Sequence, residues 1–386
     1  MPLAAALAAA LAAALAVAAP ALAEPSHPAS GADERLETHT RVLDTSKLGD
    51  LAGLVDALAD RRAVFLGETH DRYEDHLNQL AILEGLHRRG LPLAIGMESF
   101  QQPAQGALDA YVAGEIDEPE LLHRTEYFDR WRFDFRLYRP ILRFARERGI
   151  PLVALNLDSE LTDKVGEVGI EGLSAEERAR VPAELDRSDP AYVERVRAVF
   201  DLHPKQEGRG FERFLEVQLL WDEGMAERAA RWLAEHPGTT LAVLAGSGHI
   251  EYGQGIPSRL LRRLPVPSAT VLNGSTRELD PRAADFLLYP QRVSLPAAGL
   301  LGVMLGQKID STGARVEGFA EGSGAKAAGI EEGDRIVRVG ERPVAAYGDL
   351  RIALIDSRPG QRLPVEVVRQ RLLGEDERLT FEVELH

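Results

Sequence analysis

Two short segments share the pattern G-x-x-H: Gly67-Glu68-Thr69-His70 and Gly246-Ser247-Gly248-His249. Each follows an apolar run of strand character, Ala63–Leu66 and Leu241–Ala245. Two further runs, Leu93–Met97 and Leu152–Asn156, lead into Glu98 and into Asn156-Leu157-Asp158. If these runs are parallel strands of one sheet, their carboxyl ends share an edge, where open α/β folds place their ligands. Two histidines, two or three carboxylates and an amide would then converge. Imidazole and carboxylate together can ligate zinc, manganese or iron, or supply the acid and base of a hydrolysis. In a metal-dependent hydrolase Glu68, His70 and His249 would hold a divalent metal and Glu98 would act as general base on its bound water. His76 and Asn156 would stand behind these ligands. A plainer reading stays open, in which Thr69, Asp71 or Ser247 caps a helix N-terminus and the turns do no chemistry. Ser247 lacks the G-x-S-x-G spacing of a nucleophile elbow, and the chain has no H-E-x-x-H and no P-loop.

The elements that must position these groups alternate. Between the runs, with Ala269–Asn273 as a fifth, lie amphipathic stretches His76–Arg89, Phe135–Arg148 and Phe211–Ala234. Such alternation predicts an α/β class, a mostly parallel sheet flanked by helices. The segment from Leu157 to His236 is too long for one crossover and predicts an inserted helical part. Trp131, Phe133, Phe135 and Tyr138 read as core, as do Leu220, Trp221 and Met225. Tyr192 and His203 have no core pattern to explain them; they are either solvated surface or candidate haem ligands, because phenolate and imidazole both bind haem iron.

After Tyr289-Pro290 the texture changes to short strands (Arg315–Phe319, Arg335–Val339, Leu363–Arg369, Arg378–Glu384) and one helix, Asp349 to about Ser357. This predicts a small β-rich domain over residues 291–386, after an α/β domain over 41–290. From Pro296 onward there are 15 acids and 12 bases, so most of the net charge of −16 belongs to the first domain. That acidity disfavours nucleic acid and anionic membrane surfaces as main partners. The 386 residues include no cysteine, which removes disulfides, thiolate metal sites and a cysteine nucleophile. The first 23 residues carry no charge and end in Ala21-Leu22-Ala23, the form of a signal peptide cleaved after Ala23. Residues 24–40 then form a polar leader, and the mature chain is expected in the periplasm or secreted.

Several of these stretches also carry a family resemblance. Gly67-Glu68-Thr69-His70-Asp71 with His76 and Gln79, Met97-Glu98-Ser99-Phe100, Tyr138-Arg139-Pro140, Asn156, Leu220-Trp221-Asp222-Glu223 and Gly246-Ser247-Gly248-His249-Ile250 resemble the ChaN-like haem-binding uptake family. That family sits in a wider group with Tiki and TraB proteins, recognised by paired G-x-x-H motifs. The resemblance implies an exported or envelope protein of iron uptake, with haem held between two subunits of a homodimer through tyrosine. It equally implies kinship with metal-dependent proteases and esterases. The C-terminal part resembles a PDZ domain of bacterial envelope proteases, with Leu300-Leu301-Gly302-Val303 as its carboxylate-binding loop and Gly333-Asp334-Arg335-Ile336 following its small helix. The resemblance implies that the C-terminal peptide of a protein partner binds there.

Overall fold

A computed structural model describes residues 43–202, 210–306, 313–371 and 375–386. The expected signal peptide, the polar leader and His203 lie outside the described residues. The chain divides into two compact units. One comprises the chain up to His70, Leu77–Glu98 and Leu155–Gln291; the other comprises Asp71–His76, Ser99–Ala154 and Arg292–His386.

The first sheet contains β1 (Ala63–Glu68), β2 (Leu93–Gln101), β3 (Leu152–Asn156), β4 (Thr240–Gly246), β5 (Ser268–Asn273) and β6 (Phe286–Leu288), in the order β3-β2-β4-β1-β5-β6. The β1–β4, β1–β5, β2–β4 and β5–β6 pairs are all parallel. Every residue of β1 and β4 is buried. Strands covered on both faces read as continuous apolar runs, which is why they stand out in the sequence. The helices are α1 (Leu51–Leu58), α2 (Tyr73–Arg88), α3 (Gln105–Val112), α4 (Glu118–Arg124), α5 (Tyr127–Arg130), α6 (Phe135–Arg148), α7 (Ser159–Val168), α8 (Ala175–Arg178), α9 (Pro190–Asp201), α10 (Phe211–Glu235) and α11 (Ile256–Arg263). Helices α7 to α10 form the expected inserted helical part. Among the described residues no helix is long and apolar enough to cross a membrane.

The second unit holds a five-stranded path, β12-β11-β9-β8-β7, with β10 paired to β9. Its strands are β7 (Val303–Leu305), β8 (Ala314–Phe319), β9 (Arg335–Val339), β10 (Arg342–Pro343), β11 (Arg362–Arg369) and β12 (Glu377–Glu384). With helices α12 (Gly324–Ala328) and α13 (Tyr347–Ala353) they enclose a core that includes Leu301, Val316, Ile336, Val365, Val367 and Val383. Helix α13 starts two residues before the expected Asp349. The Asp349 carboxylate reaches back to accept from the N–H groups of Ala345 and Ala346, so it marks the first turn from inside.

The same unit contains the aromatic cluster of α5 and α6. The Tyr127 and Phe135 rings meet edge to face at 5.3 Å, and His76 lies edge-on to Tyr138 at 4.4 Å. Helix α13 packs on this segment: Arg351 lies 4.8 Å over the Phe128 ring, and Arg139 pairs with both Asp356 and Glu118.

Candidate active site

Strand β1 delivers Glu68 at its last position, and His70 follows two residues later. The His70 ring is joined at Nδ1 to Glu68 Oε1 (2.9 Å). Gln79, on α2, donates Nε2–H to Glu68 Oε2 at 2.8 Å and to the Leu66 carbonyl at 3.2 Å. Both oxygens of Glu68 thus have partners, and one of them fixes the orientation of His70.

Strand β4 ends at Gly246, and a turn of 3₁₀ helix, Ser247–His249, carries the second histidine. Its Nδ1 lies 2.6 Å from Asp222 Oδ1, on α10, and its Nε2 lies 3.4 Å from Glu98 Oε1, on β2. The other Glu98 oxygen accepts from the Gly246 N–H at 2.7 Å. In register, Glu68 stands opposite Gly246. A Cβ at Gly246 would come within 3.0 Å of the His70 Nε2 and 3.6 Å of Glu98 Oε2. Glycine here lets the two histidine turns close around one carboxylate. Gly67 is similarly confined, since a Cβ there would meet Leu272 and Ser247.

All five titratable groups are buried, Glu98 at 4% exposure and the others at 1–2%. Burial alone would drive each toward its neutral form. For His249 that effect is outweighed by the charges of Glu98 and Asp222 and its hydrogen bonds to them, and its pKa is pushed up to about 10. His70 is raised too, burial opposing and Glu68 and Glu98 prevailing. Burial works against the ionised forms of Glu98 and Asp222, yet the His249 charge and hydrogen bond hold both below their ordinary values. At neutral pH the cluster therefore places an imidazolium against a carboxylate. In so dry a setting such charges act on one another far more strongly than in water.

The expected residues are distributed differently from the sequence reading. His70, His249 and Glu98 come together. Glu68 orients His70 through one oxygen and takes Gln79 on the other, and among the described residues no three His, Asp or Glu side chains are spaced to hold a metal ion. Asn156 accepts at its own Oδ1 from the Leu157 N–H, a local turn contact. His76 is buried against Tyr138 in the second unit. Tyr192 is not solvated surface: it is 2% exposed, with its hydroxyl donating to Asp222 Oδ2 at 2.6 Å. Burial and the Asp222 charge push the phenol well above its ordinary pKa. Asp222 is the member of the cluster that the spacing did not single out. Its signal was present in Trp221-Asp222-Glu223, a pair of acids inside the buried face of a helix, where ionised groups need partners.

A family model described as haem-binding uptake, Tiki superfamily, ChaN matches residues 54–260, more than half of the chain. The chain belongs to the ChaN family. A second model, the PDZ domain, matches residues 299–385. A curated relative, protein RETICULATA-RELATED 5, chloroplastic, of Arabidopsis thaliana, is 26% identical over 285 residues, which is 65% of this chain and 38% of that protein. The chain spans well under half the length of that relative. Among solved structures, that of cofacial haem binding to ChaN of Campylobacter jejuni is similar at 18% identity, over 61% of this chain and 89% of the other, with a TM-score of 0.49. A mutant of the erythromycin esterase EreC in its open conformation is similar at 15% identity, 57% and 72% coverage and a TM-score of 0.35. The HtrA-type protease AlgW with decapeptide is similar over 23% of this ChaN-family chain and 30% of its own, at 24% identity and a TM-score of 0.20.

Proposed function

We propose that the α/β unit hydrolyses ester or amide bonds by acid–base chemistry at the strand-end cluster. The observation that carries this reading is His249, held between Asp222 and Glu98 with Nε2 3.4 Å from Glu98 Oε1. Ionised Glu98 takes a proton from a water, whose oxygen adds to the substrate carbonyl carbon. The imidazolium Nε2–H of His249 faces the oxyanion that forms, beside His70, and His249 gives its proton to the leaving oxygen or nitrogen. Glu98 then returns its proton to His249, and both groups regain their starting charge. The test is hydrolysis of p-nitrophenyl acetate by the full chain and by Glu98→Gln, which keeps shape and removes the base. Release of nitrophenolate by the parent and its loss in the variant support the reading. Equal rates sink it.

A second reading, haem or iron binding, is favoured by the family match over residues 54–260. Titration with haemin, followed by a Soret band and by the mass of the complex, tests both the binding and a haem-bridged homodimer. A Soret band that survives Tyr192→Phe fits the buried position of that side chain.

The PDZ domain then recruits partners that end in a hydrophobic residue with a free carboxylate, at Leu300, Leu301, Gly302 and Val303. Supporting this, Gly302 has φ +75° immediately before β7, and β7 is the edge of its sheet, where a peptide can add as a strand. Affinity unchanged by amidating such a peptide removes the assignment. Export with removal of residues 1–23 completes the reading, and intact mass of the periplasmic protein checks it.

A further inference from the structure

We infer that Tyr192 is a positioning residue for the candidate active site, holding Asp222 so that His249 presents Nε2 to Glu98. Its functional consequence rests on the acid–base reading above, while the positioning itself rests on geometry. Asp222 is the hinge of the arrangement. One oxygen lies 2.6 Å from His249 Nδ1 and the other accepts the Tyr192 hydroxyl at 2.6 Å. A carboxylate with both oxygens engaged cannot turn about its Cβ–Cγ bond without breaking a charge-assisted hydrogen bond, so the ring it holds keeps one orientation.

Tyr192 is itself fixed from three sides. It stands in the first turn of α9, where the Asp189 carboxylate caps the helix by accepting from the N–H groups of Ala191 and Tyr192 at 2.9 and 3.2 Å. Its ring is flanked by the guanidinium groups of Arg259 at 4.4 Å and Arg195 at 5.3 Å. Arg195, one turn along the same helix, donates to the Gly248 carbonyl at 2.9 Å and pairs with Glu251 at 3.0 Å. Helix α9 therefore grips the His249 turn twice, once through Asp222 and once through the backbone beside the histidine. Filling the core would need only a phenylalanine here. The buried hydroxyl, aimed at the one oxygen that His249 leaves, is what a space-filling residue does not require.

The test uses the full chain with ¹⁵N-labelled histidine, the His249 Nδ1–H signal being identified by its loss in His249→Ala. Tyr192→Phe keeps the ring and deletes the hydroxyl. Its expected effects are displacement or broadening of that signal, with thermal unfolding still cooperative. Turnover of p-nitrophenyl acetate should fall roughly 10- to 100-fold in kcat with KM little changed, the size of one hydrogen bond to a charged group. A signal that stays in place, whatever the melting temperature does, overturns the positioning role and leaves Tyr192 as packing. A displaced signal in a protein that never hydrolyses the ester supports the positioning role and overturns only the acid–base reading. Should Tyr192→Phe fail to fold, biosynthetic fluorotyrosine gives a more acidic phenol at the same place. The His249 signal must then move, and an unmoved signal overturns the inference.

Discussion

His70 and His249 occupy the same position in the same four-residue pattern, yet their supports come from different distances along the chain. His70 is oriented by Glu68, two residues back on the same strand, and Glu68 is held in turn by Gln79. His249 is oriented by Asp222 on α10 and faced by Glu98 from β2. The electrostatic result differs accordingly. His70 contacts one carboxylate and is raised; His249 lies between two and is pushed up to about 10. A local partner fixes a ring in place, whereas two distant ones decide its charge.

The largest effect that could break this comparison is on stability. His249→Ala leaves two buried carboxylates, Glu98 and Asp222, without their cation. Removing one partner from a buried ion pair costs about 3–5 kcal/mol. His70→Ala leaves Glu68 with Gln79 still donating, so a cost of about 1–3 kcal/mol is expected, that of a buried acceptor losing one bond. Urea unfolding of the two variants measures the difference. Equal losses would mean that the two turns are supported alike.

The pH dependence sharpens the same contrast. The folded pKa of His249 is raised above its unfolded value, so its contribution to stability is fully present below about pH 6.5. It is lost as pH rises through about 10. Glu98 and Asp222 are depressed in the folded state, so their contributions are present above the ordinary carboxylate range and are lost as pH falls through their lowered values. Stability of the parent should therefore decline from about pH 6.5 toward about 10. That decline should flatten strongly in His249→Ala and weakly in His70→Ala. An alkaline limb unchanged by His249→Ala would remove the charged imidazole from the account.

These contrasts also explain what was legible in the sequence. The parallel sheet was readable because β1 and β4 are buried on both faces and so are apolar without a break. The placement of Glu68, His70 and His249 at strand ends followed from that topology, whereas β2 runs three residues past the expected end at Glu98, to Gln101. Strands β6 and β7 span three residues each and β10 two, too short to carry a periodic signal. Asp222 and Tyr192 were not assigned their partners, because a helix face gives no sign of which distant turn it will meet. The helix that supplies Asp222 is amphipathic by pattern, and only packing shows that its buried acid points at His249.

A smaller effect is expected at Gln79, which supports the His70 side alone. Gln79→Ala removes donors to Glu68 Oε2 and to the Leu66 carbonyl. A loss of about 1–2 kcal/mol in urea unfolding should follow, with ester hydrolysis reduced less than in Tyr192→Phe, because the Glu68–His70 contact remains. The reverse ranking would make His70, rather than His249, the principal acid.

The smallest effect belongs to Asn156, which stands at the end of β3 as Glu98 stands near the end of β2. The two differ in where their oxygens go. Glu98 reaches across the sheet edge to Gly246 and His249, whereas Asn156 accepts from Leu157, the next residue. A side chain that closes a turn on its own neighbour contributes roughly what other local caps do, about 0.5–2 kcal/mol. Asn156→Ala should therefore lower stability by that amount and leave both the His249 Nδ1–H signal and the hydrolysis of p-nitrophenyl acetate unchanged. A substantial loss of hydrolysis with little loss of stability would bring Asn156 into the site. Strand-end position would then predict function better than hydrogen-bond partner does, and the contrast between local and distant supports would no longer separate the groups that act from those that hold the chain.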